Sequence, residues 1–129
     1  MNWKDIKTIA IVGLSDNPER PSYRVAEYLL KKGFNILPIN PTIDSVLGIK
    51  AYKSIKEIPQ EIVIDIVDIF RRSEEVETIV KDIIESKRHV IIWMQEGVVS
   101  PEAKKIAESK NMEVLMDMCI MKVHIKQGC

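Results

Sequence analysis

The stretch Thr8-Ile-Ala-Ile-Val-Gly13, with the polar run Leu14-Ser-Asp-Asn-Pro-Glu-Arg-Pro21 behind it, decides the fold. Its continuous apolar character reads as a strand buried on both faces, as in a parallel sheet, rather than one that alternates between core and solvent. Gly13 ends the run. A helix is expected after the loop, with Ser22 as its cap, Val25, Ala26, Leu29 and Leu30 at helical spacing, and Gly33 as its stop. Strand, loop and helix together make the first half of a β-α-β unit.

The same alternation continues along the chain. Residues 34–39 read as a second strand closed by Asn40-Pro41. Pro38 has no N–H for a ladder and is expected near the strand's carboxyl end. Residues 48–52 predict a short edge strand, and residues 54–58 a helical turn stopped by Pro59. Residues 62–70, rich in β-branched side chains, predict the next long strand. Ser73 then reads as the cap of a helix with Val76, Ile79, Val80, Ile83 and Ile84 on one face. Glu74, Glu75 and Glu77 lie in its first turn, where the helix dipole favours negative charge. Residues 90–94 form another apolar run. Ser100-Pro101 opens a helix with serine at the cap and proline at the first position, turning Ala103, Ile106 and Ala107 inward. Residues 113–116 predict the last strand. The expected class is α/β: a Rossmann-like three-layer sandwich on a parallel sheet of five to six strands, with right-handed crossovers, in a single domain spanning residues 1–129.

Composition narrows the function. The 129 residues are 46% hydrophobic and 29% charged, ordinary for a globular chain and too apolar for disorder. Nineteen Lys and Arg balance nineteen Asp and Glu. A general nucleic-acid or acidic-membrane binder carries a basic excess, so neither partner is expected, and any anion site must be built locally. No apolar run is long enough to span a bilayer, and residues 1–8 lack the apolar core of a signal peptide. Two cysteines, Cys119 and Cys129, form no disulfide framework, and a cytoplasmic location is expected.

In open α/β sheets ligands bind at the carboxyl ends of the strands, so the residues that follow each strand matter most. After the first strand, Gly13 permits a tight turn ahead of a helix amino terminus with free N–H groups, the outline of a phosphate cradle. The dinucleotide fingerprint G-x-G-x-x-G is broken, because Ser15 and Pro18 stand where its second and third glycines belong. After the second strand, Asn40-Pro41 replaces the acid that a nicotinamide site offers to a ribose. After the third long strand comes Phe70-Arg71-Arg72-Ser73. Paired guanidinium forks fit phosphate oxygens, and the alternative is that an arginine pairs with the glutamates downstream. Gln95-Glu96-Gly97 follows the fourth, where the glycine permits close backbone approach.

Gly13-Leu-Ser, Pro18-Glu-Arg-Pro-Ser-Tyr23, Pro38-Ile-Asn-Pro41, Asp68-Ile-Phe-Arg71, Trp93-Met-Gln-Glu-Gly97 and Met116-Asp-Met-Cys119 together resemble the small bacterial and archaeal CoA-binding proteins of Rossmann-like fold. The layout is also similar to the CoA-binding N-terminal domain of the succinyl-CoA synthetase α-subunit. The resemblance runs from about Ile6 to His124. It implies that coenzyme A, or a short acyl-CoA, lies across the strand ends. The phosphates would sit by the loop holding Gly13, Leu14, Ser15, Asn17, Arg20, Ser22 and Tyr23, with Ser15 and Ser22 donating. The adenosine would lie near Pro38, Asn40 and Pro41. The pantetheine arm would pass Ile69, Phe70 and Arg71, with Arg72 beside them, and then Gln95, Glu96 and Gly97. Met118 departs from the pattern, since relatives often carry a basic residue there.

Catalytic chemistry is harder to find. Asp65 and Asp68, three apart on a strand, point to opposite faces and cannot share a proton, and Asp68 is expected to be a structural hydrogen-bond acceptor. His89 and His124 lack ligand spacing, so no metal site is expected. Cys119 reads as a small buried residue at the end of the last strand. Trp3 and the methionines Met112, Met116, Met118 and Met121 are assigned to core packing. The synthetase works through a phosphorylated histidine in a further domain, a position that neither His89 nor His124 matches. The expectation is a CoA-binding protein without catalysis of its own. A CoA-binding module of a multi-chain acyl-CoA ligase and an NAD(P)-dependent oxidoreductase stand as alternatives, and a homodimer or a partner protein is compatible with the sequence.

Overall fold

A computed structural model describes residues 1–127. After a 3-10 turn at Trp3–Asp5 the chain runs β1 (Thr8–Val12), α1 (Pro21–Lys31), β2 (Asn35–Ile39), β3 (Ser45–Val46), β4 (Ile49–Lys50), β5 (Ile66–Ile69), α2 (Val76–Glu85), β6 (Ile91–Met94), α3 (Pro101–Glu108), β7 (Val114–Leu115) and α4 (Ile120–Lys126). Five strands form one parallel sheet in the order β2-β1-β5-β6-β7. β3 and β4 form a separate antiparallel hairpin.

The sheet is buried on both faces, which is why its strands read as apolar runs. On one face Ala10, Val67, Ile69 and Ile92 pack against Val76, Val80 and Ile83 of α2 and Ala103 and Ala107 of α3. On the other, Ile9, Ile11, Ile66 and Trp93 pack against Val25, Ala26 and Leu29 of α1 and Ile120 of α4. The fold is the expected α/β Rossmann-like sandwich. Pro38 fits because its carbonyl accepts from Tyr52 N on the outer side of β2, so its ring nitrogen also faces away from β1.

Several local readings need correction. The expected strand at 48–52 is the hairpin strand β4 followed by one parallel bridge between Tyr52 and Ile39, not an edge of the main sheet. The strand expected over 62–70 shortens to β5, and Val63 is largely exposed. Ser22 is not the cap of α1. Pro21, with its preset φ, takes the first helical position and makes Arg20 the cap residue. Ser73 does not cap α2 either; it opens a 3-10 turn, and its hydroxyl accepts from Val99 N at 2.9 Å. Ser100 does cap α3, accepting from Ala103 N at 3.2 Å.

The sequence pattern predicts no helix where α4 stands. Cys119 is buried at its start rather than at a strand end. Gln95 Oε1 accepts from Ile120 N at 3.0 Å, and His124 packs among Trp3, Phe34 and Tyr28, with Tyr28 Oη 2.6 Å from Nδ1. Burial, and secondarily the charge of Lys32, lower the His124 pKa. Trp3 and Met112 are core residues as expected, Met116 and Met121 pack partly against it, and Met118 is exposed.

Asp68 is the largest departure. It is fully buried on β5 between Ile11 and Trp93, and neither carboxyl oxygen has a hydrogen-bond partner among the described residues. The acceptor role expected of it belongs instead to Asp65, which takes Lys7 N at 2.9 Å and Thr8 N at 3.0 Å. Burial alone pushes the Asp68 carboxyl well above the usual carboxylate range. The folded protein therefore keeps a proton that the unfolded chain releases near pH 4. Between those two pKa values this group lowers stability as pH rises, by about 1.4 kcal/mol per pH unit. Asp68→Asn carries no such charge and is expected to lose that decline and to exceed the parent in stability at pH 8. Chemical denaturation of both proteins over pH 4–9 checks this, and superimposable pH profiles would exclude it.

Candidate functional site

The strand order sets the site. The chain leaves β1 for β2 on one side and later returns to β5 on the other, so the topological switch falls between β1 and β5. Gly13 stands there with φ +86°. A Cβ on it would lie 2.3 Å from the Phe70 carbonyl oxygen and 2.8 Å from Arg71 Cδ, so both the conformation and the space require glycine. Hydrogen bonds fix the approach from both sides: Gly13 N donates to Ile39 O and Phe70 N donates to Val12 O, each at 2.8 Å.

The loop behind Gly13 is held largely by its own side chains. Ser22 Oγ accepts from Ser15 N, Ser15 Oγ accepts from Asn17 N, and Asn17 Oδ1 accepts from Glu19 N, all at 3.0 Å. Asn40 reaches across from the end of β2, donating from Nδ2 to Leu14 O at 3.0 Å while its Oδ1 accepts from Thr42 N at 2.9 Å. These groups set the loop's shape.

Burial sorts the expected site residues. The side chains of Leu14, Ser22, Pro38, Ile69 and Gln95 are buried and belong to the frame. Gly13, Ser15, Tyr23, Asn40 and Phe70 are half-buried. Asn17, Arg20, Pro41, Arg71, Arg72, Glu96 and Gly97 are exposed. Gln95 positions α4, and Glu96 pairs with Lys122 at 3.1 Å. Gly97, at φ +82°, donates its N–H to Asp117 Oδ1 at 2.7 Å, tying the loop after β6 to the one after β7.

Two cavities open along these ends. One of about 350 Å³ is bounded by Val12, Gly13, Ile39 and Pro41 on the strand side and by Lys53, Ile55, Glu75, Thr78, Ile79 and Ile83 opposite, with Arg71 between. The other, about 470 Å³, lies over Phe70, Arg71, Arg72, Glu75, Gln95, Glu96 and Val98. Arg71 and Glu75 border both. Their ion pair is 2.7 Å long, and Arg72 Nε lies 3.3 Å from the second Glu75 oxygen. Pairing with a downstream glutamate thus holds for both arginines. The hydrogen bond from Arg71, opposed by partial burial and helped by the bond from Arg72, keeps the Glu75 carboxyl below its ordinary range.

Sequence reading missed the wall formed by Lys53, Ile55 and α2, because residues 53–55 reach the cavity only through the connection between the hairpin and β5. Glu75 was legible: it stands four residues after Arg71 and three after Arg72, the spacings at which side chains meet on a helical turn. Among the described residues no group of three or more His, Cys, Asp or Glu stands ready to hold a metal, and no helix is long and apolar enough to cross a membrane.

A parallel sheet with a glycine turn at its switch point and two cavities over the strand ends defines a Rossmann-like α/β domain whose open face lies at the carboxyl edge of the sheet. The chain belongs to the CoA binding domain family, whose sequence profile matches residues 7–125. It is 44% identical over 118 residues to the uncharacterized protein YneT of Bacillus subtilis (strain 168), covering 92% of this chain and 85% of that one. It is 32% identical over 123 residues to the alpha subunit of acetate--CoA ligase [ADP-forming] II of Pyrococcus furiosus, matching 87% of this chain but 26% of that subunit. A solved structure of a hypothetical protein from Pyrococcus horikoshii OT3 superposes with a TM-score of 0.89 at 32% identity, over 96% of this chain and 85% of the other.

The Gly13 contact generates a direct test. Gly13→Ala places a methyl group against the Phe70 carbonyl at an unfavourable φ and is expected to cost about 2–4 kcal/mol of stability. Urea unfolding measures it; a midpoint equal to the parent's would mean that the loop after β5 moves aside.

Proposed function

We propose that this protein binds coenzyme A, or a short acyl-CoA, across the carboxyl ends of β2, β1, β5 and β6, as a cytoplasmic carrier, sensor or regulator without catalysis of its own. The observation that carries the reading is the pair of cavities on either side of the β1–β5 switch point, bordered in common by Arg71 in a chain of zero net charge. CoA is long, with phosphates between an adenosine and a thin pantetheine arm, and it suits two linked cavities with cations between them. In this reading the loop between β1 and α1, with the half-buried Ser15 hydroxyl as a donor, and the guanidinium groups of Arg20, Arg71 and Arg72 hold the phosphates. The adenosine takes the cavity beside Ile39, Asn40 and Pro41. The pantetheine arm takes the one over Phe70 and Gln95, with Glu96 and Gly97 at its rim. Membership of the CoA binding domain family supports the choice of ligand.

The match to a ligase subunit favours a second reading, in which the chain supplies CoA to partner chains of an acyl-CoA ligase. Co-purification from the native host separates the two.

A ligand that binds only the folded state raises its melting temperature by mass action. CoA is expected to do so, and NADH, NADPH and FAD at equal concentration to do much less. Arg71→Ala is expected to weaken CoA about 10- to 100-fold by calorimetric titration, the worth of a charge-assisted hydrogen bond. A larger shift with NADH than with CoA would overturn the reading.

A further inference from the structure

We propose that Glu75 is a built-in competitor for the ligand's phosphates: its carboxylate occupies Arg71 and Arg72 in the empty protein and must be displaced before either arginine can take an anion. The proposal rests on the CoA reading of the site and adds a determinant of its affinity and selectivity.

Three observations carry it. First, one carboxylate serves two guanidinium groups, Oε1 facing Arg71 Nη2 at 2.7 Å and Oε2 facing Arg72 Nε at 3.3 Å, so both oxygens are engaged. Second, Arg71 and Glu75 border both cavities, so the pair stands on the boundary that a ligand spanning them must cross. Third, the side chains of Arg71, Arg72 and Glu75 are 39%, 76% and 29% exposed. They are not locked in the core, and a partly exposed ion pair is weak enough for a phosphate to replace.

The consequence is selectivity for extended polyanions. A small anion gains one phosphate contact and loses the clamp, a near-even exchange. A ligand filling both cavities adds apolar and backbone contacts that make the exchange favourable.

The test is calorimetric titration of the parent, Glu75→Gln and Glu74→Gln with CoA and with inorganic pyrophosphate. Glu75→Gln keeps the shape and removes the charge. Glu74→Gln removes the same charge from the same wall, at an exposed residue with no ion pair among the described residues. The expected result is CoA tightened about three- to ten-fold by Glu75→Gln, the worth of the released pairs, with little change in Glu74→Gln. Pyrophosphate, weak or silent on the parent, is expected to bind Glu75→Gln measurably. Equal tightening by both variants would reduce the effect to the general field of the wall and overturn the clamp. Unchanged CoA affinity in Glu75→Gln, with CoA binding the parent, would overturn the clamp and leave the ligand reading standing. Failure of CoA to bind any of the three would overturn both.

Discussion

The carboxyl-edge face of the sheet depends on the approach of two backbones, Gly13 at the end of β1 and the carbonyl of Phe70 at the end of β5. The gap between them leaves no room for a Cβ. Because it closes, the two loops on either side of the topological switch stand against each other, and Arg71 is placed directly over the glycine turn. The hydrogen bonds of Gly13 to β2 and of Phe70 to β1 make the closure a continuation of the sheet itself. Strand ends so joined form a continuous floor under the loops that carry the candidate residues.

Around that floor, polar side chains divide into those that build and those that remain available. Ser22, Asn40 and Gln95 spend their hydrogen bonds on backbone groups, and the loop conformations follow from them. Asp117 and Trp93 do the same for the β7 side, the indole donating to Met118 O at 2.8 Å. Among the described residues, the side chains of Arg71 and Arg72 share one partner, Glu75, at a surface where water and anions compete. Stability is concentrated in the frame, and exchangeable interactions in the two cavities.

Asp68 stands outside this division. A buried carboxyl without a partner is costly in any core. It lies in the middle of the sheet, one residue before Ile69, packed between Ile11 and Trp93 rather than opening on either cavity. The fold carries it as a neutral acid, supported by the packing of both neighbouring strands.

The sequence by itself determined the architecture and the edge of the sheet that carries the candidate residues. Apolar runs at 8–12, 62–70 and 90–94 read as strands buried on both faces, and the helical spacing of Val25, Ala26 and Leu29 or of Val76, Val80 and Ile83 supplies the layers that bury them. Gly13 and the adjacent arginines were legible because each is local: a turn that demands glycine, a charge pair at a helix start. Only the tertiary structure decided the rest, because it depends on distances between segments far apart in the chain. The far wall of the first cavity comes from residues 53–55, brought in by a hairpin outside the main sheet. The helix α4 is too short to declare itself by periodicity and is fixed by Gln95, twenty-five residues earlier. The reversal of roles between Asp65 and Asp68 follows from what lies opposite each on the folded sheet: free backbone N–H groups for one, an isoleucine and a tryptophan for the other.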